Sequence, residues 1–245
     1  MQIIHSTSTS PTFNLAAEEY LFAERQDDLL FLYVNEPSVI IGCNQAIRNE
    51  VDLDFCKNNE ITIVRRMSGG GAVFHDLGNL NFCFISNKTE GKSLLNADFL
   101  QPIVEVLTNL GVPVEIGKRK DLWLQSGYKI TGTASHVAKN RELHHGTLLY
   151  DTNLEMLEKS LSSNQKDESV KAIASVSSTV KNLRTWFEEQ GLFPLESNEF
   201  FEFLIIKLQM NLHVDVILSL SDNEIAQIEI LEKAKYCTPE WTFKK

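Results

Sequence analysis

This sequence predicts an α+β fold, on three observations. Short β-branched and aromatic runs fill most of the first 150 residues. From Leu154 onward the pattern turns mostly helical. Apolar positions at helical spacing in the first half are confined to a few stretches, so strands come first and helices after, without regular alternation.

Element by element, Phe13 to Arg25 reads as a helix. Phe13, Ala16, Ala17, Tyr20 and Leu21 share one face, Glu18, Glu19 and Glu24 fall largely off it, and Asn14 or Thr12 is placed to cap it. Leu30–Val34 reads as a strand, broken by Pro37, and Val39–Gly42 as the next. Asp52–Asn58 reads as a short helix, and Ile61–Arg66 and Asn79–Ile85 as strands. Ser93–Leu110 reads as a helix ended by Gly111, with Pro102 predicting a kink or a later start. Val112–Ile116, Leu122–Leu124, Tyr128–Ala134 and His144–Tyr150 read as four more strands. Lys159–Lys171 reads as a loose polar surface stretch, and Ser197 and the capping-box pair Ser221 and Glu224 mark helix starts.

Composition excludes several classes of function. Hydrophobic residues make up 43% and charged residues 23%, an ordinary globular balance, so the core needs no disulfide or metal staple. A formal charge of −10 argues against a general nucleic-acid surface. Cys43, Cys56, Cys83 and Cys237 show no paired spacing, which argues against zinc, and Cys83 inside Phe82–Ile85 reads as a buried thiol. The N-terminus lacks a signal-peptide pattern and no run approaches a membrane span. The expectation is a reduced cytoplasmic protein without nucleic-acid or membrane partners.

Three segments carry chemistry. In Arg65-Arg66-Met67-Ser68-Gly69-Gly70-Gly71-Ala72-Val73-Phe74-His75-Asp76, three glycines between strand-like runs bare backbone N–H groups suited to phosphate oxygens, and the arginines offer bidentate contacts. The spacing is neither the Walker nor the dinucleotide pattern. The same residues also suit a plain hairpin turn. In Gly127–Ala134, Lys129 stands among small residues, as a cation aimed into a cleft or as a surface lysine on an edge strand. In His144-His145-Gly146-Thr147-Leu148-Leu149, adjacent histidines on a strand point to opposite faces, so one packs inside rather than both binding one metal.

In this order and spacing the three segments resemble the lipoate–protein ligase A family, whose pattern runs Arg-Arg-x-Ser-Gly-Gly-Gly-Ala-Val-Phe-His-Asp, Gly-Asn, Gly-Arg-Asn-Asp-Leu, Lys-x-x-Gly-x-Ala and His-His-Gly-Thr-Leu-Leu. Phe13–Ala16, Ile173–Leu183 and the pair Trp241 and Phe243 resemble it too, so the likeness spans nearly the whole chain. It implies a mixed, largely antiparallel sheet flanked by helices, the biotin/lipoate ligase fold shared with the class II aminoacyl-tRNA synthetase core, as one catalytic domain over residues 1–245. It implies an ATP-dependent ligase that activates lipoate as lipoyl-AMP and transfers the lipoyl group to a carrier lysine.

Lys129 is then the catalytic cation, touching carboxylate and α-phosphate. Arg66 holds one of those anions, Gly71, Ala72, Val73 and Phe74 line the pocket through their backbone, and Asn79 sits near the phosphates. Asp121 helps place Mg2+ and the nucleotide. Ser68, Gly70, His75, Gly132, Ala134, His145, Gly146 and Thr147 complete the implied binding set. The implied partners are lipoyl domains of 2-oxoacid dehydrogenase complexes or the glycine cleavage H protein. Two segments depart from the pattern: Lys120 replaces the asparagine before Asp121, and the loop after Gly42 reads Asn44-Gln45-Ala46. The chain stops just after Phe243, where longer members continue into an accessory domain, so the expectation includes a separate accessory protein. Two alternatives stay open: a catalytic half that transfers only from preformed lipoyl-AMP, and an octanoyl or lipoyl transferase with a cysteine thioester.

Overall fold

The computed structural model describes residues 1–88, 98–138, 140–163, 172–176 and 178–244. The strands are β1 (Gln2–His5), β2 (Leu29–Val34), β3 (Ser38–Ile41), β4 (Thr62–Arg65), β5 (Val73–His75), β6 (Asn79–Asn87), β7 (Val114–Ile116), β8 (Leu122–Leu124), β9 (Thr133–Val137), β10 (Arg141–Leu149) and β11 (Ile217–Leu218). The helices are α1 (Pro11–Glu24), α2 (Ile47–Glu50), α3 (Leu53–Asn58), α4 (Gln101–Asn109), α5 (Leu154–Ser160), α6 (Leu183–Glu189), α7 (Ser197–Asn211), α8 (Asp222–Leu231) and α9 (Pro239–Thr242).

A six-stranded sheet runs β11-β1-β2-β6-β10-β9, with β1 parallel to both its neighbours and the remaining pairs antiparallel. A second sheet runs β4-β3-β5, and β7 pairs with β8. The two-residue period of a strand divides β2 between two cores. Leu30 and Leu32 pack with Phe82 and Phe84 against α4 and α7, while Leu29, Phe31 and Tyr33 pack with Cys83 and Ile85 against α1. Burial on both faces is why β2 reads as an unbroken apolar run. The small sheet splits likewise: Ile40 and Val64 face the large sheet, while Val39, Ile41 and Phe74 face α2 and α3. The gap between the two sheets, where α1 does not fill it, becomes the cleft.

Several boundaries differ from the sequence reading for identifiable reasons. Helix α1 starts at Pro11, whose missing N–H is harmless in a first turn, and Ser10 rather than Asn14 or Thr12 caps it by accepting from the Phe13 N–H. Asn14 is buried and bonds elsewhere. Glu18, expected off the apolar face, is 1% exposed because its partners come from distant strands. Pro102 marks a later start, since α4 begins at Gln101 after a 3-10 turn at Asp98–Leu100. Ser93 and most of the expected Lys159–Lys171 stretch lie outside the described residues. Ser221 caps α8 with the expected box to Glu224, whereas at α7 the cap is Glu196, boxed with Glu199, and Ser197 is the first helical residue. The stretch from Tyr128 forms no continuous strand; regular pairing starts only at Thr133.

Candidate active site

The glycine loop after β4 is held from beneath by Arg66. Its guanidinium is 3% exposed and donates to Ser68 Oγ (2.9 Å) and to the carbonyls of Ile40 (3.0 Å), Gly69 (2.6 Å) and Gly71 (2.7 Å). Burial lowers its pKa to about 10, against the pull of Glu18. The loop lies so close to the turn after β3 that a β-carbon on Gly42 would sit 2.2 Å from the Gly70 carbonyl oxygen, and Gly70 itself has φ +88°. Neighbouring Arg65, 1% exposed, donates to the carbonyls of Gly42 and Gln45 on one side and to those of Trp241, Thr242 and Lys244 on the other.

Across the cleft stands Lys129, with Nζ 2.9 Å from Asp121 Oδ2. Asp121 is 2% exposed and accepts from the Trp123 indole at 2.9 Å. Burial raises its pKa, but the contacts with Lys129 and Trp123 outweigh burial and hold it below the usual carboxylate range. The Lys129 backbone is fixed by a segment fifty residues on: its N–H donates to the Thr179 carbonyl, and its own carbonyl accepts from Lys181. That segment continues over the glycine loop. Ser175 Oγ accepts from the Ala72 N–H (2.9 Å) and from the Gln45 amide (3.1 Å), and the Ser175 N–H donates to Glu50.

These walls enclose about 290 Å3. Of the sequence-predicted residues, Arg66, Gly70, Gly71, Ala72, Val73, His75, Asp121, Lys129, Gly132, Ala134, His145, Gly146 and Thr147 line the cleft together. Three do not. Phe74 points to the outer core, as its strand's alternation demands. Ser68 is fully buried between Arg66 and His145. Asn79 is fully buried, donating to Asn81 while its own Oδ1 has no hydrogen-bond partner. Tyr33, Ile40, Asn81, Arg119 and Thr133 line the cleft without having been expected there, as do Leu15 and the segment 173–176, which lie in stretches that carried the resemblance but were given no site role. Asn81 had a signal, two residues from Asn79 on the same face of a strand that is apolar from Phe82 to Ile85.

The paired histidines separate as strand geometry predicts. His144 stacks on Phe99 and bonds Ser135 Oγ on the far side of the sheet. His145 faces the cleft, with Nδ1 2.7 Å from Glu18 Oε2 and Nε2 2.6 Å from Ser68 Oγ. Cys83 completes a trio of ligand-type atoms within 4.8 Å, but Glu18 is already engaged by His145 and Tyr33, so the group is a hydrogen-bonded dyad beside a thiol.

His75 makes the fold sensitive to acid. Burial, with the charges of Arg66 and His145 adding to it, lowers its pKa to about 3. Between that value and about 6.5 the unfolded chain binds a proton that the native chain refuses, so stability falls as pH drops through this window. His5, His136 and His144, also lowered by burial, act in the same direction. Thermal melts from pH 7 to 4 should show Tm declining, with a shallower slope in His75→Gln; an unchanged slope would remove His75 from the explanation.

Cysteine chemistry finds no support in the cleft. Among the described residues no cysteine lines it, burial raises the Cys56 pKa to about 11, and burial with Glu18 pushes the Cys83 thiol well up. Replacing each cysteine singly by serine should leave turnover largely intact, with Cys83→Ser costing about 1–3 kcal/mol of stability for a misplaced polar group. Steady-state rates with parallel melts check this. A well-folded variant without turnover, together with a trapped thioester in the parent, would establish the transferase alternative.

The donor set suits a magnesium ion. Asp121 Oδ2 is buried with the Lys129 amine at 2.9 Å and the Arg119 guanidinium at 3.9 Å, a hard carboxylate oxygen of the kind Mg2+ shares with phosphates and water.

Fold and cleft together define a class: a site for an amphipathic anion, apolar and neutral at Leu15, Tyr33 and Ile40, cationic at Lys129 and Arg119, and bordered by the glycine loop. Residues 10–208 match the model of the lipoyl protein ligase A/B catalytic domain, and the chain belongs to that family. It is 36% identical over 244 residues to "Lipoate--protein ligase 1" of Staphylococcus aureus, covering 98% of this chain and 72% of that protein. It spans only about half the length of some other curated relatives. A crystal structure of lipoate-protein ligase A bound with ATP superposes with a TM-score of 0.81 at 28% identity, covering 99% of this chain and 98% of that one. A bi-partite lipoate protein ligase of Thermoplasma acidophilum, studied with its E2 lipoyl domain, gives 0.80 at 28%, covering 99% and 96%. The mixed sheet flanked by helices is shared with these structures. Among the described residues no helix is long and apolar enough to cross a membrane.

Proposed function

We propose that this chain activates lipoate with ATP and transfers the lipoyl group to a lysine of a carrier domain. The observation that carries the reading is the Lys129–Asp121 pair set across the cleft from the glycine loop. A carboxylate is a poor acyl donor at neutral pH. Its oxygen attacks the α-phosphorus of ATP, pyrophosphate leaves, and a mixed anhydride forms. Two anions must approach, so a cation between them lowers the barrier. In this reading Lys129 Nζ bridges the acid's carboxylate and the α-phosphate, and the glycine loop borders the phosphates from the opposite wall, its Ala72 N–H held by Ser175 Oγ. Asp121 is the residue that would hold Mg2+, which when bound supplies further charge neutralisation for the polyphosphate. In the second step the neutral ε-amine of the carrier lysine attacks the acyl carbonyl, AMP departs with the bonding pair, and the nitrogen releases its proton to solvent, so positioning is the main requirement.

The carrier class we infer is a lipoyl domain of a 2-oxoacid dehydrogenase complex or the glycine cleavage H protein. One experiment tests the activity: pyrophosphate release from purified chain with ATP, Mg2+ and either lipoate or octanoate, followed by mass shift of a carrier domain. Acid-dependent release supports the reading, and its absence with every donor and carrier overturns it.

A second reading is favoured by the near-complete overlap with a chain of a bi-partite ligase. In it, adenylation needs a second polypeptide that helps close the site against water, while transfer from supplied lipoyl-AMP does not. Carrier lipoylation from lipoate plus ATP, compared with that from synthetic lipoyl-AMP on one enzyme stock, separates the two. Equal fast rates favour the self-sufficient ligase.

A further inference from the structure

The orientation of one cleft residue follows from atoms that have no choice of role. The backbone carbonyl of Ser8 can only accept, so the Asn14 side-chain atom 2.8 Å from it is the amide nitrogen. Asn14 Oδ1, the remaining atom, takes the Ser6 hydroxyl at 2.7 Å. The same Asn14 nitrogen lies 2.8 Å from the Asn35 side chain, whose facing atom must be Oδ1. Asn35 then has only its amide nitrogen left to turn toward His75 Nδ1, 2.9 Å away. A donor there requires a lone pair on Nδ1, and a neutral imidazole so held carries its proton on Nε2. Ser6, Asn14, Asn35 and His75 are each 5% exposed or less, so water does not offer a substitute partner.

Among the described residues no hydrogen bond engages His75 Nε2, although the ring lines the cleft. The other strong donor nearby, Arg66, is occupied with its own loop. Leu15, Tyr33 and Ile40 line the same cleft and offer shape but little direction.

We propose that His75 is a fixed, uncharged Nε2–H donor to an acceptor atom of the bound acid, and that Ser6, Asn14 and Asn35 are positioning residues that hold its tautomer. The identity of the acid rests on the ligase reading above; the tautomer does not. The acceptor is a carboxyl oxygen or a ring sulfur of lipoate, and octanoate, which lacks the ring, distinguishes them.

The test is a nitrogen NMR spectrum of histidine-labelled full chain at pH 8, with the His75 signals assigned by loss in His75→Gln. The expected wild-type signals are a protonated Nε2 and a bare Nδ1, with Nε2 shifting on addition of lipoate alone. Asn35→Asp keeps the acceptor for Asn14 but turns an oxygen toward Nδ1, so the proton should move to Nδ1. Lipoate should then bind about tenfold more weakly, the scale of one lost hydrogen bond. An equal loss for octanoate places the acceptor at the carboxyl end, and a loss for lipoate alone places it at the sulfur ring. A wild-type spectrum showing Nδ1–H or imidazolium overturns the inference without touching the ligase reading. So does a moved proton with unchanged affinity. Failure of the wild-type chain to bind either acid overturns the ligase reading and the role assigned to His75 with it.

Discussion

Lys129→Ala is expected to abolish acyl-AMP formation while the chain still folds. Removing one preorganised donor from a developing anion costs about 10²–10³ in rate, and Lys129 is placed between two anions, so pyrophosphate release should fall by roughly 10³ or more. The fold should survive because the Lys129 side chain is 17% exposed and its backbone bonds to Thr179 and Lys181 do not involve the amine. The variant leaves buried Asp121 with only the more distant Arg119 at 3.9 Å; breaking a fully buried pair costs about 3–5 kcal/mol, less here because Arg119 remains and the amine end reaches water. Combining Lys129→Ala with Asp121→Asn should therefore recover part of the lost Tm and none of the activity. Near-normal adenylation by the single variant would sink the assignment of Lys129.

Gly42→Ala should be nearly as damaging, for a steric reason. The added methyl would lie 2.2 Å from the Gly70 carbonyl oxygen and 3.3 Å from Arg66 Nη2, and the first of these is backbone that cannot rotate away. The glycine loop must then shift on its arginine brace, which changes its setting against Lys129 across the cleft. We expect adenylation to drop about 100-fold, the scale of a roughly 1 Å misplacement of reacting groups, with about 1–3 kcal/mol lost to overpacking. Gly69→Ala is the control from the same loop, since nothing lies within 4 Å of a β-carbon there. Pyrophosphate release and melting of both variants decide the matter. Gly69→Ala proving as harmful as Gly42→Ala would show that the loop resists any side chain, and that the close approach of Gly42 to Gly70 is not the cause.

What the sequence made legible divides by distance along the chain. β2 and β6 were readable because two-sided burial writes itself as apolar runs, and Ser221 with Glu224 because a capping box is local. The cleft-facing residues of the glycine loop and of β10 were readable because motif spacing and strand alternation are local too. Glu18 was not, since its burial depends on His145, 127 residues away. Nor was Lys129's backbone setting, which depends on Thr179 and Lys181. Two-residue β11 has no periodicity to detect. The Lys120 departure acquires a physical meaning only in three dimensions: its φ is +60°, a left-handed setting in which the family's asparagine is more comfortable than lysine.

Arg65 ties the segment 241–244 to the turn after β3, beside the glycine loop. Its guanidinium has no carboxylate within ion-pair reach among the described residues. Its charge is instead solvated by carbonyl oxygens, three of them borrowed from Trp241, Thr242 and Lys244, while the Trp241 indole returns a bond to the Arg65 carbonyl at 2.7 Å. One peptide bond further on, Arg66 grips the glycine loop. A displacement of α9 is thus passed to the carbonyls of Gly69 and Gly71 through the side chains of two adjacent arginines.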